Sequence, residues 1–244
     1  MRAIITFHSI DDSPCTLSYP VKSLEYLLQT LFKKNIPILT LDTLLDEKTT
    51  CGVSLTFDDG MQSVYSNALK VLKQYQAPAH LFLATDLPNK KCWPEPQIGV
   101  GHYKMLNWIE IDELLKHGML LESHTHTHPD ITELTINMLH QECQQADEII
   151  KKKSGRQPKY FAYPKGRHNN ASRKYIRDRY PYAVTTELDY LNQFAATEAI
   201  PRIDSYYLND RLIDNLDQFF GRYYIRFRSH IRNLRGSQTR ANAN

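Results

Sequence analysis

An α/β fold built on a parallel sheet is what the sequence predicts, on three observations. Short runs rich in β-branched and aromatic residues alternate with longer segments of helical period. Two of the apolar runs lead straight into carboxylates or histidines at their C-terminal ends. The chain has 244 residues, 41% hydrophobic and 23% charged, enough for one sizeable core and too apolar for a disordered or fibrous protein. Strand–helix alternation on this scale implies right-handed crossovers, in a barrel or a doubly wound sheet, and a count of about eight strands favours barrel-like closure.

In chain order, strands are expected at Ala3 to Phe7, Pro37 to Thr40, Val53 to Phe57, His80 to Ala84, Met119 to Glu122, Tyr160 to Tyr163, Tyr182 to Thr185 and Ala199 to Ile203. Between them, Val21 to Lys34 carries Leu24, Leu27, Leu28 and Leu31 on one face at 3.6 residues per turn, which predicts an amphipathic helix. Val64 to Tyr75, Trp108 to His117 and Thr135 to Lys153 read the same way, and Gly118 and Gly155 stand where helix ends favour glycine. Turn formers concentrate in Pro88 to Gly101, which includes Pro96 and Gly99, and in Pro164 to Asn170. Residues 1–210 read as one catalytic domain and residues 211–244 as an appended basic amphipathic helix and tail.

The net charge of +3 is unevenly placed. Residues 219–244 hold six arginines and no acid, so the preceding 218 residues carry 24 basic against 27 acidic side chains, a net of −3. That balance disfavours nucleic acid as a partner of the body. Bulky residues at Phe220, Tyr223, Tyr224, Phe227, Ile231 and Leu234 step by three or four among the arginines. Residues 219–235 therefore suit either a terminal helix packed on the barrel or peripheral contact with an anionic membrane. No run of eighteen apolar residues exists, and the start, with Asp11 and Asp12 soon after a short apolar run, does not resemble a signal peptide. A cytoplasmic location, at most peripheral at the inner membrane face, is the expectation. Cys15, Cys51, Cys92 and Cys143 are scattered without a CxxC pair, which suits reduced thiols rather than a disulfide framework or a thiolate metal site.

The strongest chemical signal is Ser54-Leu55-Thr56-Phe57-Asp58-Asp59-Gly60, an apolar strand running into two adjacent carboxylates. Neighbours on an extended chain point opposite ways, so one aspartate can bind a cation while the other handles a proton, although Asp-Asp-Gly is also ordinary turn chemistry. The second signal is Glu122-Ser123-His124-Thr125-His126-Thr127-His128-Pro129. Imidazole is the commonest metal ligand, and the alternation suggests His124 and His128 as ligands with His126 diverging, though spacing alone does not choose among the three. Two histidines and one aspartate make three protein ligands with a position left for water, the pattern of a catalytic rather than a structural zinc.

These residues resemble the polysaccharide deacetylases with the NodB-homology domain. Thr56-Phe57-Asp58-Asp59-Gly60 matches the first motif of that family, His124-Thr125-His126-Thr127-His128 matches the second, and Phe161-Ala162-Tyr163-Pro164-Lys165-Gly166 stands as a third block, so the resemblance covers about residues 1–205. It implies a deformed (β/α) barrel of about seven strands and removal of N-acetyl groups from an amino sugar, in a polysaccharide or a lipid-linked glycan. It also implies Asp58 as general base and Asp59, His124 and His128 as ligands of a divalent metal, most often Zn²⁺. The third block departs from the family pattern, with Ala162 in place of an arginine that orients the base and Lys165 in place of a tyrosine. Arg202 is the candidate replacement for that arginine, and the Lys165 backbone N–H is a candidate oxyanion donor. No C-terminal leaving-group histidine motif is present, but His8 ends the first strand. This resembles the circularly permuted poly-N-acetylglucosamine deacetylases and implies His8 as general acid, with His126 and His168 as competitors. Tyr163, Trp93 and Tyr103 are candidate sugar-facing rings, Tyr163 foremost. Because of the departures in the third block, a metal-binding but inactive glycan-binding module is the alternative. A metallopeptidase is disfavoured by the lack of an H-E-x-x-H helix.

Overall fold

The computed structural model describes residues 1–94, 102–192 and 196–241. Among these, the strands are β1 (Arg2–Phe7), β2 (Ser9–Ile10), β3 (Ser18–Tyr19), β4 (Gly52–Asp59), β5 (Ala79–Leu83), β6 (Met119–Ser123), β7 (Tyr160–Ala162), β8 (Tyr182–Val184) and β9 (Ile203–Asp204). Seven form one sheet in the order β8-β7-β6-β5-β4-β1-β9, every pairing parallel, while β2 and β3 pair with each other beside it. The sheet curls until its ends approach. Ile200 bridges to Val184 beyond β8, and Ile203, three residues on, pairs with Ile5 of β1. The segment leading into β9 thus spans the seam of a deformed barrel, the closure expected of alternating strands and helices.

The helices are α1 (Val21–Lys33), α2 (Leu41–Leu45), α3 (Leu69–Gln74), α4 (Trp108–Lys116), α5 (Ile136–Ser154), α6 (Asn170–Arg179), α7 (Asp210–Ile213) and α8 (Phe219–Ala241). In α1 the buried residues include Leu24, Leu27, Leu28 and Leu31, the stripe read from the sequence. Thr135 caps α5 by accepting from the Met138 N–H, and Gly155 ends it at φ 74°, a left-handed conformation that costs glycine little.

Strand alternation sorts the core into two parts. Ala3, Ile5, Phe7, Leu55, Phe57, Leu81 and Leu83 pack with the helices outside the sheet, whereas Ile4, Phe82, Tyr160, Ala162 and Val184 cluster in the interior with Leu41 and Leu44 of α2. Helix α2 thereby closes the N-terminal end of the barrel, held there by the Arg2 guanidinium, which donates to the Leu44 carbonyl at 2.6 and 3.1 Å. Residues beyond 210 join the same core, since Leu212, Ile213, Leu216 and Ile225 are buried in the outer cluster.

Two expected strands are corrected. Pro37 to Thr40 makes a single bridge, Ile38 to Val53, and Ala199 to Ile203 shrinks to the Ile200 bridge and the two residues of β9. Pro37 and Pro201 have no N–H to donate, so neither run sustains a ladder. Val64 to Tyr75 opens as a π-helical turn (Val64–Ala68) before α3, and α6 was not expected from periodicity. All four cysteines are unpaired, with Cys143 buried and the other three half-buried. Pro96 and Gly99 of the turn-rich loop lie outside the described residues.

Candidate active site

The site stands at the C-terminal ends of the strands, where parallel barrels gather side chains from loops distant in sequence. Strand β4 delivers both aspartates. The Gly60 N–H bonds the Asp58 carbonyl at 2.8 Å, so Asp59 is the centre of a three-residue turn at φ 72°, followed by Gly60 at φ 95°. A left-handed aspartate at such a turn is strained, and this strain is what turns the Asp59 carboxylate away from Asp58 and toward the next strands.

Strand β6 ends in His124, whose Nδ1 lies 2.8 Å from the Ala162 carbonyl oxygen. A carbonyl only accepts, so Nδ1 carries a proton, and Nε2 faces Asp59 Oδ1, 3.3 Å away. The chain then doubles back through Thr125 at φ 66° and His128 at φ 60°, the His128 N–H donating to the Thr125 hydroxyl at 3.1 Å. His128 Nε2 stands 3.4 Å from the same Asp59 oxygen, and the ligand-type atoms of Asp59, His124 and His128 all lie within 4.8 Å of one another. This is the donor chemistry of a divalent cation site with two imidazoles and one carboxylate, all largely buried. His126 diverges as expected, with its Nδ1 2.9 Å from the Thr85 hydroxyl.

One feature of the histidine loop had no signal in the sequence. Glu142 of α5 accepts from the backbone N–H groups of His126 and Thr127 at 2.9 and 2.8 Å and from the Thr127 hydroxyl at 2.8 Å, which pins the bend between His124 and His128.

Asp58 faces a different partner. Arg202 approaches from just before β9 and donates to both carboxylate oxygens, at 2.8 and 2.7 Å, while its Nε donates to the Thr185 carbonyl at 3.0 Å and its head lies over the Phe82 ring. The guanidinium is buried, and its planar fork meets the carboxylate in two parallel bonds. Arg202 thus gives Asp58 the arginine partner that Ala162 cannot supply.

Electrostatics separate the groups. Burial works against ionisation of Asp58, but the charge and hydrogen bonds of Arg202 outweigh it and hold the carboxyl below its usual range. Burial opposes ionisation of Asp59 as well, and the hydrogen bond with His124 and the charges of His128 and His8 hold it far lower. For His124, burial alone would depress the pKa, yet the Asp59 bond raises it overall. Burial pushes the His128 imidazole down to about 4, which favours its neutral form at physiological pH.

The other candidates divide. His8 follows β1, whose register pairs Phe7 with Phe57, so His8 sits beside the aspartates and its charge bears on both. Lys165 lies at φ 56° in the turn Pro164–Gly166, close enough for its charge to act on His128. Tyr163 is corrected as a sugar-facing ring. It is 1% exposed, clustered with Phe161, Ile176 and Tyr180, and its hydroxyl donates to the Glu198 carbonyl at 2.9 Å. The side-chain direction set by β7 sends it into packing and leaves no face for a ligand. Tyr103 is also buried, bonded through its hydroxyl to Ser18 at 2.6 Å. Trp93 is the ring nearest the cluster, edge-on to His128 with centroids 5.2 Å apart. His168 lies against Tyr163, with ring centroids 4.9 Å apart and the rings tilted by 55°.

Comparison with known proteins agrees with this geometry. A sequence model of the polysaccharide deacetylase family matches residues 46–183. The YxkH protein of Bacillus subtilis is 30% identical over 194 residues, covering 75% of this chain and 64% of its own length. The poly-beta-1,6-N-acetyl-D-glucosamine N-deacetylase of Staphylococcus epidermidis is 26% identical over 165 residues, covering 62% of this chain and 54% of its own. The chain therefore spans less than two thirds of the length of these relatives. The solved structure of the deacetylase PplD of Streptococcus pyogenes superposes with a TM-score of 0.72 at 23% identity, over 83% of this chain and 91% of that one, and so shares the fold. With more than half of its length matched by the family model, this chain belongs to the polysaccharide deacetylase family.

Proposed function

We propose that the chain hydrolyses the N-acetyl group of an amino sugar in a glycan, using Asp59, His124 and His128 to hold a divalent cation and Asp58 to move the proton. The observation that carries this reading is the division of labour between adjacent aspartates: Asp59 turns to two imidazoles, while Asp58, in reach of the same space, is held by Arg202 and left out of the ligand set.

A cation in that set, zinc being the best match to its donors, supplies acidification of a water and polarisation of the acyl carbonyl. The remaining work belongs to the chain. Asp58, kept ionised by Arg202, accepts a proton from the attacking water. A carboxylate offers about four acceptor sites and Arg202 occupies two, so capacity remains. The Lys165 backbone N–H would donate to the developing oxyanion, a contribution of about 3 kcal/mol for a single such donor. His8, across the register from the aspartates, would protonate the departing sugar nitrogen, so that acetate and a free amine result. Ala162, in place of the motif arginine, leaves its carbonyl bonded to His124, and Arg202 takes over the orientation of the base.

Acetate release from N-acetylglucosamine oligomers, measured with added Zn²⁺, Co²⁺ or Ni²⁺ and again after chelation, tests the proposal. Metal-dependent release is expected. Stoichiometric metal and oligomer binding without acetate would return the inactive glycan-binding module.

A further inference from the structure

Helix α8 meets the barrel along one face only. A Cβ on Gly221 would stand 2.2 Å from the Asn215 carbonyl oxygen, Ile225 is fully buried, the Arg228 head packs over the Tyr207 ring at 5.2 Å, and Arg232 donates to the Thr186 carbonyl at 2.6 Å and hydroxyl at 3.1 Å. Steps of four and three residues place these contacts on one side of the helix. The opposite side carries exposed rings: Phe219 is 84% exposed, Tyr223 62% and Phe227 51%. The rings of Tyr223 and Phe227 lie face to face, 11° from parallel. Arg222 and Arg226 are exposed along one edge of this stripe, and the helix contains no acidic residue. Single exposed apolar residues are ordinary on a protein surface, but a row of three rings at steps of four, bordered by arginines, is not.

We infer that this face docks on the surface of an anionic lipid bilayer. The stripe enters the boundary between headgroups and acyl chains, and Arg222 and Arg226 meet the lipid phosphates. Charge complementarity selects this occupant over a second copy of the chain, because two α8 helices face to face would oppose arginine to arginine with no carboxylate on either. No described helix is long and apolar enough to cross a membrane, so the contact is peripheral. The helix is also oriented. Arg232 is tied to Thr186 at the C-terminal end of β8, and a cavity of about 700 Å³ between α8 and the loops of that end is lined by Gly166, His168, Thr186, Ser229 and Arg232. Docking through α8 would therefore set the helix that meets the bilayer against the loop of Gly166 and His168, beside the Lys165 turn, and a membrane-borne glycan would suit an active site on that side. That last consequence rests on the deacetylase reading. The docking itself does not.

Flotation of the full chain with vesicles of phosphatidylcholine, alone or mixed with phosphatidylglycerol, tests the docking without calling on turnover. Binding is expected only to the mixed vesicles and should weaken with salt. R222Q/R226Q should reduce partitioning about 25-fold, at about fivefold for each arginine, and Y223S/F227S should abolish it. Both variants should melt like the wild type, because these side chains are exposed. Equal behaviour of the wild type with the two vesicle types would overturn the inference. So would a dimer, seen by sedimentation, that Y223S/F227S dissociates while lipid binding is absent, since the stripe would then belong to a second copy.

Discussion

The barrel interior holds two buried carboxylate layers, and they are built to opposite ends. Near α2, Glu122 accepts from the Arg156 guanidinium at 2.6 Å, from the Lys159 and Tyr160 N–H groups at 3.0 and 3.1 Å, and faces His80 Nδ1 at 3.3 Å. His80 in turn accepts the Leu41 N–H on Nε2, which fixes its proton on the side of Glu122. Every acceptor site of that carboxylate is spent, as a buried charge requires if it only supports the fold. At the other layer, Asp58 has a bidentate arginine as its side-chain partner among the described residues, and Asp59 has two imidazole nitrogens at distances longer than charge-assisted hydrogen bonds take. The same residue types in the same barrel therefore separate by saturation: the Glu122 carboxylate is full, and those of Asp58 and Asp59 keep capacity in reserve.

Substitutions can break this contrast. The largest effect is expected from His124→Ala, which should remove bound metal and turnover together, read by metal analysis beside an acetate assay. Asp58→Asn should keep metal near the wild-type level while turnover falls by about 10²- to 10⁴-fold, the span typical of a lost general base. Full activity in that variant would transfer the role elsewhere. Glu122→Gln should do the reverse. Stability should drop by about 1–3 kcal/mol in denaturant titration as the amide turns a donor toward the buried N–H groups that the carboxylate accepted, with unchanged turnover per folded molecule. A loss of turnover beyond the loss of folded protein would show that the two layers are coupled.

The smallest effect concerns pH. Because Arg202 holds the folded pKa of Asp58 below the ordinary 3.8, the pair contributes its stabilisation at and above that value and loses it as pH falls through the lower folded pKa. Melting temperature should therefore decline more steeply for wild type than for Asp58→Asn on the acid side of 3.8, and equal slopes would show that the Arg202 contact is idle in solution.

Much of this was legible without coordinates, for a local reason. The strand of Asp58 and Asp59 and the bend from His124 to His128 each place their chemistry within a few residues, so residue type and spacing marked both stretches, while the role of each residue came from the family resemblance. The parallel sheet was equally legible, since strand and helix periods are local properties. Pro37 to Thr40 was overread as a strand because apolar character hides the missing proline N–H, and Tyr163 was assigned to sugar because an aromatic beside a motif says nothing about which way its strand turns it.

Closure of the barrel decided the rest. Arg202 lies 144 residues from Asp58, and the seam at Ile200 and Ile203 is what carries its guanidinium into the interior. Sequence inspection could nominate an arginine there, but only tertiary packing pairs it with that carboxylate. Glu142, Ala162 and Glu122 act through contacts that composition cannot announce: a helix side chain on a loop's amides, a backbone carbonyl on an imidazole, and a carboxylate filled by groups from three other segments. Local chemistry determines which residues are able to react, while the register and curl of a parallel sheet determine which of them meet, because only long-range packing fixes distances between parts of the chain that no short-range interaction connects.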